Sequence, residues 1–268
     1  MKQKIVALCG FAGSGKDSVA DILVSRMNFS KHPFAGPLKK VTATLFGLTH
    51  DMVHTPAGKE AALTTHVFPF GSVDQFLSMV DDATAAVYGI SRMEMESPEM
   101  RMRSMTMDGV AKTVGWVVTE ARLNAMRHLV PLLWTSHRSW HLPPNLNTVS
   151  PRVLLQIMGT EMYRSIFPGT WTYAWRQEVS MVERVVVTDC RFDNEVEVIR
   201  QHGGKLIRVD SNHSWVTKNT AHVSERLFLK FDPDEVIQNN LGLPELDAET
   251  MGVFASLYPE DFMGSVGR

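Results

Sequence analysis

Short apolar runs alternate with helical patterns at both ends of the chain. The first run covers residues 5–9 and precedes a helical pattern at residues 16–28, whose apolar positions follow an i, i+3, i+4 spacing. Such runs predict buried strands, and this spacing predicts a helix that packs on a sheet. After residue 150 the alternation returns, which predicts the α/β class with a parallel sheet. The later predicted elements are strands at residues 185–188, 206–209 and 235–237, helices at residues 152–164 and 194–202, and a terminal helix capped by Asp247.

The middle of the chain, residues 61–148, has a different pattern. Helical patches cover residues 73–88 and 110–129, and a stretch at residues 92–107 is rich in Met, Glu and Arg. We expect a largely helical insertion or acceptor-binding lobe here. The flanking segments, residues 1–60 and 149–268, are predicted to form one α/β core.

A glycine-rich segment, Gly10-Phe-Ala-Gly-Ser-Gly-Lys-Asp-Ser18, joins the first predicted strand to the first predicted helix. Glycines let backbone N–H groups turn inward around phosphate oxygens, and Lys16 can reach the outer phosphates at the positive end of the helix dipole. The chain is therefore predicted to bind a nucleoside triphosphate. The usual pattern places Ser or Thr directly after the lysine to bind Mg²⁺, whereas here Asp17 stands there and Ser18 follows.

Composition restricts the class of partner. The 268 residues are 44% hydrophobic and 21% charged, and 27 basic against 29 acidic residues give a net charge of −2. This balance disfavours binding to duplex nucleic acid or to an anionic membrane. No signal-peptide pattern and no membrane-spanning apolar stretch is present, so we expect a cytoplasmic protein. Cys9 and Cys190 end predicted strands without metal-ligand spacing, and we interpret both as core residues.

A second polar segment, Asp189-Cys-Arg-Phe-Asp-Asn-Glu195, follows the predicted strand at residues 185–188. Ligands of parallel α/β sheets bind at the carboxyl edge of the strands. There Asp189 could contact Mg²⁺, and Arg191 could bind a phosphoryl oxygen. In the structural alternative, Asp189 caps the next helix and Arg191 pairs with Glu195 across one turn.

Four segments, one of which includes the polar segment just described, carry a family resemblance. They are Phe34-Ala-Gly-Pro-Leu-Lys39, Pro151-Arg-Val-Leu-Leu-Gln-Ile-Met-Gly-Thr-Glu161, Thr188-Asp-Cys-Arg-Phe-Asp-Asn-Glu195 and His222-Val-Ser-Glu225. Together they resemble the bacteriophage deoxynucleoside monophosphate kinases, a family of the P-loop nucleoside monophosphate kinase group. The family loop is similar in having Gly-Lys-Asp before Ser or Thr, so Asp17 becomes an expected trait.

The resemblance implies a P-loop kinase fold and a donor site. The fold would be a three-layer sandwich with a central parallel sheet plus a largely helical insertion. Mg²⁺ would be the cofactor, held among Asp17, Ser18 and Asp189, and Arg191 would neutralise the moving phosphoryl group beside Lys16 and Asp189. The residues implied to hold the ATP phosphates are Gly13, Ser14, Gly15, Lys16, Asp17 and Ser18.

The resemblance also implies an acceptor site for a deoxynucleoside monophosphate. Its residues would be Lys39, Arg152, Gln156, Glu161, Trp171 and Glu195. Each has a structural alternative: Lys39 could be an ordinary surface lysine, and Trp171 could pack in the core, with Trp175 a second match to the family tryptophan. Gln156 and Glu161 are five residues apart and need a bend at Gly159 to act together.

His222, Ser224 and Glu225 would lie in a lid near residues 210–230 that closes over ATP. Their tight local spacing argues against a Ser-His-acid hydrolase triad. The alternatives left open are a kinase for another small phosphorylated acceptor, of the dephospho-coenzyme A or phosphomevalonate type, and a nucleotide-hydrolysing switch. Nucleic acid polymers and membranes are not expected partners. The accepted bases and a homodimeric state also stay open.

Overall fold

Five short strands form the central sheet of the first compact unit, Met1–Phe34 and Val179–Arg268. The computed structural model describes residues 3–107, 110–134, 149–213 and 227–263. The strands are β1 (Lys4–Cys9), β2 (Ser30–Lys31), β5 (Arg184–Val187), β6 (Lys205–Asp210) and β7 (Glu235–Gln238). All pairings are parallel, in the order β2-β5-β1-β6-β7. The carboxyl ends of these strands therefore meet at one edge of the sheet.

Helices cover both faces of this sheet. Val6 and Leu8 of β1 share an apolar cluster with α1 (Lys16–Met27) and α13 (Leu243–Leu257). Because successive side chains of a strand point to opposite faces, Ile5 lies on the other face. There α12 (Asp193–Gln201) packs on β1 and β6, and a short α14 (Glu260–Met263) ends the described chain. The predicted α/β fold with a central parallel sheet is confirmed.

The second compact unit, Ala35–Glu178, is mostly helical. Its core contains Phe46, Phe76, Leu129 and Tyr163, all fully buried. Its elements are α2 (Ala35–Phe46), α3 (His50–His54), α4 (Pro56–Glu60), α5 (Val73–Tyr88), α6 (Arg92–Glu96), α7 (Pro98–Arg101), β3 (Ser104–Met107), β4 (Val110–Thr113), α8 (Val114–Asn124), α9 (Val130–Leu133), α10 (Pro151–Ile157) and α11 (Thr170–Val179), with π-helical segments at Ala125–Leu129 and Met158–Arg164.

Local sequence signals account for the bounds of α5. The Ser72 hydroxyl accepts a hydrogen bond from the backbone N–H of Gln75 and caps the helix. At the other end Gly89 has φ of 63°, a conformation that ends helices. The prediction of a helix at residues 73–88 is confirmed.

Three predicted elements need correction. Residues 110–113 are not helical: they form β4, paired with β3, and α8 starts only after Thr113, whose hydroxyl accepts from the backbone N–H of Trp116. The predicted helix at residues 152–164 is α-helical only to Ile157 and continues as a π-helix. Asp247 does not cap α13, which begins four residues earlier. The carboxylate of Asp247 instead accepts hydrogen bonds from the Arg26 guanidinium.

The compact units divide the chain at Phe34 and Val179, whereas the sequence-based division lay near residues 60 and 149. The physical reason is apolar packing. Val41 and Leu45 of α2, together with Leu154 of α10 and Trp171 of α11, are buried in the apolar cluster of the helical unit.

Burial of both cysteines confirms their interpretation as core residues. Cys9 and Cys190 are 1% and 2% exposed. Burial raises the pKa of Cys9 to about 12 and that of Cys190 well above the ordinary thiol value. Both thiols are therefore protonated and unreactive at neutral pH.

Among the described residues, no helix combines the length and the apolar character that crossing a membrane requires.

Candidate functional site

The glycine-rich loop, residues 10–15, connects β1 with α1 at the carboxyl edge of the sheet. Gly10, Gly13 and Gly15 have φ values of 144°, 80° and 100°, which side-chain-bearing residues rarely adopt. A Cβ on Gly10 would lie 2.4 Å from the carbonyl oxygen of Val209. The loop therefore depends on glycine both for its conformation and for its close approach to β6.

The polar groups of this loop suit an anion. Gly15 is the N-cap of α1 and offers no side chain to the N–H groups of the first turn. The Lys16 ammonium lies against the loop and donates hydrogen bonds to the carbonyl oxygens of Gly10 (2.9 Å) and Phe11 (2.8 Å). The Ser14 hydroxyl is buried and has no hydrogen-bond partner within the described parts of the chain. Backbone N–H groups, an ammonium and a hydroxyl are the types of group that commonly bind phosphate.

Two residues that the sequence analysis missed hold the loop in place. Asn239 Nδ2 donates a hydrogen bond to the carbonyl oxygen of Ser14 (2.9 Å). Phe228, in the 3₁₀-helix Leu227–Lys230, forms a T-shaped ring pair with Phe11, with 5.0 Å between ring centroids. Asn239 directly follows β7, so its position after a parallel strand was a usable signal. No local pattern marks Phe228.

Asp17 and Ser18 lie in the first turn of α1, and Asp17 is exposed. With Asp189 they offer carboxylate and hydroxyl oxygens, which are the ligands that Mg²⁺ prefers. No group of three or more His, Cys, Asp or Glu side chains in the described ranges is arranged to hold a metal. Mg²⁺ commonly takes one or two carboxylates and completes its shell with water and substrate phosphates. The donor set therefore fits Mg²⁺.

The loop after β5 carries Asp189 and Arg191 at the same sheet edge. Asp189 Oδ1 accepts a hydrogen bond from the backbone N–H of Phe34 (2.8 Å), which ties the end of β5 to the segment after β2. The N-cap of α12 is Phe192. Asp189 is therefore not the capping residue that the structural alternative required.

Glu195 has a structural position in this loop. Its side chain is only 4% exposed. Its Oε2 accepts hydrogen bonds from the backbone N–H groups of Arg191 (2.8 Å) and Phe192 (3.1 Å). The carboxylate thus fixes the backbone that presents Arg191. Its hydrogen bond from the N-cap backbone N–H is the contact that the acidic residue makes in a capping box.

Lys39 and Arg152 both lie in the helical unit. Lys39 is half-buried on α2. Arg152 stands in the first turn of α10, an unfavourable place for a cation near a helix N-terminus. Its guanidinium Nε donates to the carboxylate of Glu60 on α4, which offsets that position.

The chain between Gln156 and Glu161 enters a π-helical segment at Met158, where joint action of the two side chains required a bend at Gly159. The wider turn changes the angular spacing of side chains along the helix, and such segments are frequent at functional sites. Gln156 is exposed. One carboxylate oxygen of Glu161 is buried and has no hydrogen-bond partner among the described residues. Glu161 therefore has an unused acceptor.

Trp171 lies in the core of the helical unit. It is 4% exposed, its indole N–H donates to the carbonyl oxygen of Gly159 (3.0 Å), and its ring forms a T-shaped pair with that of Tyr163. This is the core-packing alternative of the sequence analysis. Trp175, the second match to the family tryptophan, is fully buried as well. Neither indole offers an open face for stacking a base.

The predicted lid residues His222, Ser224 and Glu225 lie outside the described residues.

Comparison with known proteins gives consistent results. The family model of deoxynucleotide monophosphate kinase matches residues 127–250. The predicted resemblance to this family is confirmed. A deoxynucleoside-5′-monophosphate kinase of Escherichia phage T5 is 24% identical over 97% of this chain and 99% of its own length. A protein of Acanthamoeba polyphaga mimivirus, provisionally named a deoxynucleotide monophosphate kinase, is 23% identical over 82% of this chain and 80% of its own length.

The family match includes the segments at residues 151–161 and 188–195 but not the glycine-rich loop. The evidence for the loop is thus independent of the family model, since it comes from the loop's own geometry. The similarity to the phage T5 kinase extends along nearly the whole of both chains.

Proposed function

We propose that this chain is an ATP-dependent kinase that phosphorylates deoxynucleoside 5′-monophosphates to diphosphates. The observation that carries the proposal is the similarity along almost the full length to a deoxynucleoside-5′-monophosphate kinase. The family match to residues 127–250 supports the same class of acceptor.

The donor side of the proposal rests on the glycine-rich loop and the first turn of α1. Gly13, Ser14 and Gly15 would surround the ATP phosphates with backbone N–H groups. The Lys16 ammonium would exchange the loop carbonyls that it now contacts for phosphate oxygens, which are stronger acceptors. The unpaired Ser14 hydroxyl would gain an acceptor in the same exchange.

Phosphoryl transfer between these substrates needs no protein nucleophile, because the acceptor phosphate supplies the attacking oxygen. The residues therefore act by alignment and by neutralising charge. Arg191, held through its backbone by Glu195, would neutralise the transferring group. Asp17, Ser18 and Asp189 would hold Mg²⁺, which would supply positive charge to neutralise the phosphates.

On the acceptor side we propose Lys39 and Arg152 for the 5′-phosphate, and Gln156 and Glu161 for the nucleoside. The buried oxygen of Glu161 has no hydrogen-bond partner in the described part of the chain, which supports such a contact, since leaving a buried acceptor unpaired is unfavourable. Trp171 is not part of this proposal, because its ring is enclosed by the core. We assign Glu195 to positioning of Arg191.

The experiment is an ADP-release assay with dAMP, dGMP, dCMP, dTMP and their ribonucleotide counterparts. We expect turnover with at least one deoxynucleotide, and a rate lower by a factor on the order of 10² or more in Lys16→Ala. Circular dichroism and thermal unfolding would verify that the variant is folded.

Two outcomes would point to the alternatives. Turnover only with dephospho-coenzyme A or phosphomevalonate would indicate a kinase for another phosphorylated acceptor. ATP hydrolysis that no acceptor changes would indicate a nucleotide-hydrolysing switch. Folded protein that turns over none of the eight nucleotides would overturn the proposal.

A further inference from the structure

Four helices of the helical unit, α2, α3, α4 and α10, contact one another and bring basic side chains together. Among their charged groups, cations outnumber carboxylates even before any histidine is protonated. The cations are Lys39 and Lys40 on α2, Lys59 on α4 and Arg152 on α10, the histidines are His50 and His54 on α3, and the carboxylates are Asp51 on α3 and Glu60 on α4.

Both carboxylates already have a basic side chain beside them. Glu60 accepts a hydrogen bond from Arg152. Asp51 lies 3.6 Å from the His50 ring nitrogen. The charges that act on His54 are those of Lys39, His50 and Lys59, and each of these groups is cationic when protonated. His54 therefore stands in a region of positive potential, which attracts anions.

The two histidines of α3 form a stacked pair. They are four residues apart on one helix face, with ring centroids 4.1 Å apart and planes inclined by 7°. Two protonated imidazoles at this distance would repel each other. Desolvation lowers the pKa of His54, and the positive charges of Lys39, His50 and Lys59 lower it further. His54 is therefore neutral at pH 7 until an anion approaches.

We propose that His54 is a further ligand of the acceptor nucleotide's 5′-phosphate, beside Lys39, and that it takes up a proton from solvent when this phosphate binds. This inference rests on the proposed function for the identity of the acceptor. A dianion near His54 offsets the positive charge of the surrounding basic groups and favours the imidazolium, which then donates a charge-assisted hydrogen bond. Acceptor affinity should consequently rise as the pH falls from about 8.5 to 6.

The kinetic test compares wild type with His54→Gln, which keeps a neutral hydrogen-bond donor but cannot be protonated. The measured quantity is the acceptor KM of His54→Gln divided by that of wild type. The substrate phosphate itself titrates at about pH 6, but this affects both proteins equally and cancels in the ratio. We expect the ratio to be close to one at pH 8.5 and roughly tenfold at pH 6. The KM for ATP should be unchanged by the substitution at both pH values.

The matched control is His128→Gln, an exposed histidine of the same unit in the π-helical segment Ala125–Leu129. The acceptor KM of His128→Gln should equal that of wild type at every pH tested. A ratio for His54→Gln that is the same at pH 6 and pH 8.5, or a pH trend equal to that of His128→Gln, would overturn the inference.

A second measurement does not depend on turnover. The His54 imidazole resonance is identified by its loss in His54→Gln and titrated by NMR with inorganic phosphate, with chloride at equal ionic strength as control. We expect phosphate to raise the titration midpoint by about one pH unit. A midpoint that phosphate leaves in place would overturn the inference. If phosphate raises the midpoint while no deoxynucleotide is phosphorylated, the anion site stands and the proposed function fails.

Discussion

Replacing Gly10 by alanine tests whether the glycine-rich loop has the conformation described. Gly10 has φ of 144°, and its added Cβ would lie 2.4 Å from the carbonyl oxygen of Val209. That oxygen belongs to the backbone of β6, which is paired on both sides by β1 and β7. It cannot move aside as the end of a side chain could.

The magnitude follows from two contributions. An alanine at positive φ costs about 1–3 kcal/mol. Displacing a paired strand adds overpacking strain of about 1–3 kcal/mol. We expect Gly10→Ala to lower the free energy of unfolding by about 2–6 kcal/mol in total, a large share of the about 5–15 kcal/mol typical of a protein.

Gly15→Ala is the matched comparison. Its φ is 100°, and its Cβ would lie 2.3 Å from Asn239 Nδ2, the end of a side chain. In wild type we expect a cost of about 1–3 kcal/mol, including loss of the hydrogen bond to Ser14. In an Asn239→Ala background the obstacle is gone and that hydrogen bond is already lost. The cost of Gly15→Ala should then fall by about 1 kcal/mol.

Urea unfolding of the four variants (Gly10→Ala, Gly15→Ala, Asn239→Ala and the Gly15→Ala/Asn239→Ala double variant) measures these differences. The KM for ATP reports on the loop independently. The loop geometry would be refuted if Gly10→Ala were as stable as wild type, or if Asn239→Ala left the cost of Gly15→Ala unchanged.

Three other variants give separate tests. Arg191→Ala should reduce turnover by a factor on the order of 10² with unchanged thermal stability, and wild-type turnover would remove Arg191 from the site. Trp171→Phe should lower the free energy of unfolding in urea by about 1–3 kcal/mol, because the Gly159 carbonyl loses its hydrogen-bond donor, and should leave the acceptor KM unchanged. A raised acceptor KM with intact stability would restore the stacking role of Trp171. Although burial opposes it, hydrogen bonds from Leu206 N–H, Lys205 and Arg200 hold the pKa of Asp234 below its usual range. Its stabilisation is therefore present above the ordinary carboxyl range and lost as the pH falls through the lowered pKa. Asp234→Asn should cost about 1–2 kcal/mol at pH 7 and progressively less as the pH falls below the ordinary carboxyl range, and a pH-independent cost would refute this assignment.

Local pattern was sufficient for the elements around the glycine-rich loop. The apolar run of β1, the glycines at positive φ and the amphipathic start of α1 lie within 23 consecutive residues, Lys4 to Arg26. Strand-forming and helix-starting signals act over such short distances, so the strand, loop and helix were predictable in order. The same applies to α5, whose Ser72 cap and Gly89 terminus are adjacent to it.

Contacts between distant segments were not predictable in this way. Asn239 reaches the loop at Ser14 from 225 residues away, and Glu60 pairs with Arg152 from 92 residues away. Nothing near either residue in sequence specifies the partner. The burial of Trp171 has another origin: the π-helical segment brings Tyr163 and the carbonyl oxygen of Gly159 against its indole, although both are close in sequence.

The sequence by itself determined the fold class, the glycine-rich loop and the family resemblance, because each depends on short patterns of residue type and spacing. Only the tertiary structure decided that Trp171 belongs to the core, that Glu195 holds the backbone of Arg191, and that His54 lies among cations. The burial of a side chain and the electrostatic potential at it are sums over all residues that folding brings near it. These residues come from separate segments, so no local sequence pattern predicts the sum.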